Sequence, residues 1–187
     1  MRILKSFAVQ DEKTELVSRA FDEIVTTFDY PWKFSKIELH VRDENRMLLK
    51  EDACIILLDY NDVFVQQMDP KGISIMILRM MFRAIYRETH HEMPEAIEEI
   101  AVNREMVKKG YGNDLAYYYY THKGKGPLKD DIAWLSFHLQ DKYNAELFSN
   151  KKPAGEMKET IESLKRDLED ENNMSNAIRS CMKIGAE

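Results

Sequence analysis

Apolar residues recur at helical spacing over residues 11–28. Val17, Ala20, Phe21, Ile24, Val25 and Phe28 fall on one side, with charged residues between them. That spacing predicts an amphipathic first helix, ended by Asp29-Tyr30-Pro31-Trp32, since proline cannot continue the backbone ladder. The period then changes. Ile37, Leu39 and Val41 alternate with Glu38, His40 and Arg42, the pattern of a half-buried strand. Asp43-Glu44-Asn45 supplies a turn. Ala53 to Leu58 is a continuous apolar run bounded by acidic residues, which predicts a buried strand. Val63 and Val65 are expected to form a third, short strand or edge.

Asp69-Pro70 reads as an N-cap followed by proline at the first helical position. The helix that follows carries Ile73, Ile77, Met80, Met81, Ala84 and Ile85 on one face, widened by Met76, Leu78 and Phe82. So broad an apolar surface predicts a central helix. Arg79, Arg83 and Arg87 repeat every fourth residue, and Pro94 marks a break. A second helix is expected from Glu95 to Lys109, packing through Ile97, Ile100, Ala101, Met106 and Val107. Gly110 is its C-terminal stop. Asn113 or Asp114 is expected to cap a short helix through Tyr117-Tyr118-Tyr119-Tyr120.

Past the Lys123-Gly124-Lys125-Gly126-Pro127 loop, Ile132, Leu135, Leu139, Tyr143 and Leu147 predict a helix over about 129–148. Lys151-Lys152-Pro153-Ala154-Gly155 reads as a linker. Beyond it Met157, Ile161, Leu164 and Leu168 form a narrow stripe, the pattern of a helix packing on one partner. This stripe is the expected contact for a homodimer or protein partner, with packing on the chain's own core as the alternative. A last short helix holds Met174, Ala177, Ile178, Cys181 and Met182. The expected architecture is α+β and mostly helical. A core domain over 1–150 has a small sheet of roughly two to four strands packed on the central helix 70–90, and a helical appendage covers 151–187.

Composition narrows the class. Hydrophobic residues at 44% and charged residues at 32% fit a globular chain with a real core. Only 7 Gly and 5 Pro leave little material for many tight turns, which favours helix. A net charge of -6 gives no general basic face for nucleic acid. Cys54 and Cys181 lie far apart in no zinc-like spacing, so neither a disulfide framework nor a structural zinc is expected, and a reducing cytoplasm fits. The apolar run Ile73 to Ile85 is interrupted by Arg79 and Arg83, too short and too charged to span a bilayer. No cofactor motif appears: there is no P-loop, Rossmann fingerprint or nucleophile elbow.

The order helix, strands, apolar helix, Glu-bearing helix resembles the core of zincin-like metallopeptidases, gluzincin branch, over about residues 11–120. In that family the first of the two helices carries HExxH. Its two His bind zinc, its Glu is the general base, and a Glu on the next helix is the third protein ligand. Alignment on the apolar face puts Phe82, Arg83 and Tyr86 at the His, Glu and second His positions. Glu99 with Asn103 four residues on resembles the ExxxD of the glutamate helix. The phrase Glu99-Ile100-Ala101-Val102-Asn103-Arg104 and the turn Lys109-Gly110-Tyr111-Gly112 also resemble that region. The departures matter most. Phe cannot ligate zinc, Tyr is a poor substitute for His, and Arg stays protonated and cannot act as a base. The resemblance therefore implies a scaffold without catalysis, in which Arg83 replaces the lost metal as the counter-charge of Glu99. Arg79 and Tyr86 would line the same cleft. The alternative is a solvated Arg79/Arg83/Arg87 stripe.

Two other functions remain open in the residues. His90 or His91 with Glu95, Glu98 or Glu99 would make a metal-dependent hydrolase, although adjacent His on a helix point about 100° apart. The arginine row with Lys108, Lys109, Lys123 and Lys125 would make a phosphate or nucleic-acid binder, whose affinity falls steeply with salt. His40, His122 and His138 show no spacing signal.

Overall fold

The computed structural model describes residues 1–29, 32–89 and 95–122. The chain divides into two compact units, Met1–Thr89 and His90–Glu187.

The first unit opens on a strand. Its order is β1 (Arg2–Phe7), α1 (Glu12–Thr27), β2 (Lys36–Arg42), β3 (Arg46–Leu49), β4 (Ala53–Asp59), α2 (Val63–Gln66) and α3 (Pro70–Thr89). The four strands form one sheet in the order β1-β2-β4-β3. β1 runs parallel to β2 and β2 parallel to β4, whereas β3 is antiparallel to β4. The parallel pair β1 and β2 is joined through α1, the crossover that parallel pairing demands.

Alternation sorts the sheet into faces. Ile37, Leu39 and Val41 on β2 are buried, while Lys36, Glu38 and His40 between them are half-buried. In register with the buried set stand Cys54, Ile56 and Leu58 on β4, and Met47 on β3 stands opposite Ile56. Lys5, opposite Leu39, reaches Ser18 and Asp22 of α1, which puts α1 on this face. α3 packs on α1, β3 and β4. The core lies there: Val17 and Phe21 from α1, Ile73 and Ile77 from α3, and Ile37, Leu39 and Ile56 from the sheet are all 0% exposed. Every residue from Ala53 to Leu58 is buried, as expected for a central strand covered on both faces.

The helix ends are set by local chemistry. Asp11 caps α1: its side chain accepts from the Thr14 amide at 3.0 Å, and Thr14 Oγ1 accepts from the Asp11 amide at 2.9 Å, a reciprocal capping box. Asp69 caps α3, as the sequence predicts, by accepting from the amides of Lys71 and Gly72 at 3.1 Å each.

The expected strand at Val63 and Val65 is instead helix α2. Asp62 caps it by accepting from the Phe64 amide at 2.9 Å. Its end closes by Met68 N–H to Val65 O and Asp69 N–H to Phe64 O, with Met68 at φ 52°, the two-bond closure that stops a helix. Consecutive Phe64 and Val65 are both 0% exposed, which a two-residue period cannot achieve on one face. Strands β1 and β3 were not expected. β1 has no apolar-polar alternation to read, and β3 is a run of 4 residues.

In the second unit, α4 (Glu95–Lys108) and α5 (Gly112–His122) pack together. Gly110 ends α4 as predicted. Its φ of 94° suits a residue without Cβ, and Tyr111 N–H bonds Met106 O at 2.9 Å across it. α5 starts earlier than Asn113 or Asp114 would place it. Leu115 N–H bonds Tyr111 O at 3.0 Å, so Asp114 falls in the first turn, where its charge suits the helix dipole. The expected boundary at 150/151, the helix over 129–148 and the stripe Met157, Ile161, Leu164, Leu168 lie outside the described residues. Among the described residues no helix is long and apolar enough to cross a membrane. The coarse expectation holds: five described helices accompany a four-stranded sheet, and the sheet packs on the central helix.

Candidate functional site

Arg79, Phe82, Arg83 and Tyr86 follow the spacing of one helix face along α3. Their environments differ. Phe82 is 4% exposed and packs edge-on against Phe28, ring centroids 5.6 Å apart at 90°. Phe28 in turn meets Trp32 at 6.0 Å, and Trp32 meets Phe34 at 5.1 Å. Phe82 thus belongs to an aromatic cluster. Arg79, Arg83 and Tyr86 are half-buried and Arg87 is exposed. All four engage other groups, so the arginine row is not a bare solvated stripe.

On α4, Glu99 is half-buried and Asn103 is 0% exposed. The deeper carboxylate is Glu98, at 3%. Glu98 heads the row Glu98, Val102, Met106, whose other members are 1% and 0% exposed. That spacing of four was visible in the sequence and marks Glu98 as a carboxylate carried on an apolar face. Charged side chains are almost never so buried unless paired, and Glu98 does engage another group. The α3 row lies in the first unit and the α4 row in the second. His90 and His91 lie outside the described residues, as does the side chain of Glu95. Among the described residues no three His, Cys, Asp or Glu side chains gather as a metal would need.

Cys54 is 0% exposed, and burial, with a smaller contribution from the charge of Glu88, pushes its thiol up to about 12. Only the thiolate is nucleophilic, so Cys54 is a core residue.

A second polar group sits where the parallel strands end. Tyr60, just past β4, donates its hydroxyl to Asp11 Oδ2 at 2.5 Å. Gln66 donates to the Tyr60 carbonyl at 2.7 Å, Lys13 donates to Gln66 Oε1 at 2.6 Å, and the Lys13 ammonium lies 5.4 Å from the Tyr60 ring centre. Next to it a cleft of about 380 Å³ is lined by Ala8, Val9, Arg42, Asp43, Tyr60 and Asn61, among others. The carboxyl ends of strands are where open α/β sheets bind ligands. Sequence reasoning missed this group because Asp11 and Tyr60 are 49 positions apart and neither belongs to a motif.

The Tyr60 hydroxyl is the first cause holding the Asp11 carboxyl below its ordinary range, with the Thr14 amide second. The same bond raises the Tyr60 phenol. A depressed carboxyl stabilises the fold above its unfolded value and loses that contribution as pH falls through the folded value. A raised phenol stabilises below its unfolded value and loses it as pH rises through the folded one. Tyr60→Phe is therefore expected to move the Asp11 titration upward and to weaken the fold between these limits. Carboxyl chemical shifts followed against pH would show this, and an unmoved Asp11 would reject the bond.

On the opposite face of the sheet, Glu38 binds Lys36 at 2.5 Å and His40 Nε2 at 2.9 Å. Lys36 first, then His40, keeps the Glu38 carboxyl low. His40, without a spacing signal in the sequence, is thus a strand residue paired with Glu38 of its own strand.

No family model, curated protein or solved structure matches the chain.

Proposed function

We propose that the chain is a non-catalytic, zincin-like protein that works through binding or assembly, with its former metal site given over to Arg83 and Glu99. The observation that carries the reading is the make-up of α3. It follows the sheet as the active-site helix does in the family resembled. Yet Phe82, at the first ligand position, packs on Phe28, and Arg83 stands where a general base is needed. A guanidinium does not give up its proton at neutral pH. From α1 onward, the order α1, strands β2 to β4, α3 and Glu-bearing α4 supports the same reading, as does the close of α4 at Gly110.

Elemental analysis of the purified, untagged protein, before and after dialysis against zinc, tests it. No stoichiometric metal is expected. One tightly held zinc per chain would overturn the reading and make His90, His91, Glu95, Glu98 and Glu99 the first residues to replace. The pairing of Arg83 with Glu99 is a separate question, answered by a double-mutant cycle with Arg83→Ala and Glu99→Ala. A coupling of about 0.5–3 kcal/mol in urea unfolding is expected for a direct pair. Additive losses would remove the pair from the account and leave the metal-free reading standing.

A further inference from the structure

Strands β1, β2 and β4 run the same way, so the segments that follow them leave from one end of the sheet. Val9 lies just past β1, Arg42 ends β2 with Asp43 beyond it, and Tyr60 and Asn61 follow β4. All of them line the cleft of about 380 Å³ at that end. Its volume suits a small ligand.

The walls of the cleft are tied to one another. Tyr60 donates to Asp11, which joins the segment after β4 to the segment after β1. Asn45, in the turn after β2, donates to Asp62 Oδ2 at 2.9 Å and accepts from the Asp59 amide at 2.8 Å. That joins the segments after β2 and β4. Asp59 also accepts from the Asn61 amide at 2.8 Å, and Asp62 caps α2. The polar side chains around the cleft are thus committed to holding its loops in place. Those that line it are not. Among the described residues, the exposed side chains of Arg42, Asp43 and Asn61 make no hydrogen bond or ion pair, and Arg42 and Asp43 do not pair with each other. A pre-formed cleft that offers a few uncommitted polar groups beside apolar ones has the make-up of a ligand site.

We infer that this cleft binds a free α-amino acid with an apolar side chain. Charge decides the class. The lining carries one guanidinium and one carboxylate, so a simple anion leaves Asp43 unanswered and a simple cation leaves Arg42 unanswered. A zwitterion answers both. Its carboxylate meets the planar fork of Arg42, the geometry guanidinium groups favour, and its ammonium meets Asp43. The Asn61 amide can donate to the first or accept from the second. Val9, Val41 and the Tyr60 ring supply apolar surface for the side chain. A peptide carries its two terminal charges on different residues and does not fit this pairing, and a phosphate group finds only one cation in the lining. The site uses neither Arg83 nor Glu99, so it stands or falls apart from the metal-free reading of α3.

The test is a titration of the ¹⁵N-labelled full chain, followed by amide chemical shifts, with L-phenylalanine, 3-phenylpropionate and phenethylamine as probes. The last two each lack one of the charges. L-phenylalanine is expected to shift the amides of Val9, Arg42, Asp43 and Asn61 saturably, with a dissociation constant of about 1 mM or below. Each one-charge analogue should bind about tenfold more weakly, the worth of one charged hydrogen-bonded contact. Arg42→Gln should weaken L-phenylalanine about tenfold without weakening phenethylamine, and Asp43→Asn should weaken L-phenylalanine without weakening 3-phenylpropionate. Both side chains are exposed, so circular dichroism of the variants should stay native. No saturation by L-phenylalanine up to roughly 10 mM overturns the inference. An analogue that binds as tightly as L-phenylalanine also overturns it, since the cleft would then recognise a single charge. So does Arg42→Gln weakening phenethylamine as much as L-phenylalanine, because Arg42 would then shape the cleft rather than hold a carboxylate.

Discussion

Phe21→Ala is expected to cost about 3–5 kcal/mol. Phe21 is 0% exposed on α1, a helix that packs against α3. Removing the ring forfeits the transfer of a large apolar side chain and leaves a cavity that two helices and a sheet cannot close by small shifts. Domains of this size are stable by only about 5–15 kcal/mol, so much of the fold's margin would go. Urea unfolding followed by circular dichroism measures it. A loss under about 1 kcal/mol would mean that α1 is not seated on the sheet through Phe21, and the account of the core would be wrong.

Gly72→Ala should also destabilise, by about 1–3 kcal/mol, although alanine is the better helix former by ~1 kcal/mol. Gly72 lies in the first turn of α3, where its amide binds the Asp69 cap at 3.1 Å. A Cβ there would overlap the ring of Phe64. The ring cannot step aside, because Phe64 is itself 0% exposed, pinned in a helix whose two ends are both closed by specific bonds. The glycine is thus required by close approach of α2 to α3, not by backbone conformation. A second substitution that shortens the ring, Phe64→Leu, should return part of the loss in the Gly72→Ala background. Stabilisation by Gly72→Ala alone, read as a higher urea midpoint at unchanged slope, would show that α2 does not press on α3.

Positions where chemistry is local were legible in the sequence. Asp69-Pro70 announced the start of α3, and Gly110 announced the end of α4, because a cap or a left-handed residue acts within a few positions of itself. The alternation of Ile37, Leu39 and Val41 and the unbroken run Ala53 to Leu58 distinguished a strand with one polar face from one buried on both. β1 escaped because an edge strand with half-exposed residues on both faces has no period. Val63 and Val65 misled because two β-branched residues with one between them match a strand, whereas the Asp62 cap and the buried pair Phe64-Val65 match one turn of helix.

The site divides the same way. Which residue types occupy α3 follows from the sequence alone, and with it the mismatch between Phe82, Arg83, Tyr86 and a zinc-binding helix. Which of them is core and which is half-open to solvent came only with the tertiary structure. Phe82 turns to Phe28, and Glu98 rather than Glu99 is the deeply buried carboxylate. The bond of Tyr60 to Asp11 is a product of topology: parallel strands β1 and β4 end on the same side of the sheet, and the chain that follows each meets there. The elements were determined by short-range periodicity and capping. The faces they bury and the order β1-β2-β4-β3 were decided by long-range packing, because register and burial depend on partners that no local window of sequence contains.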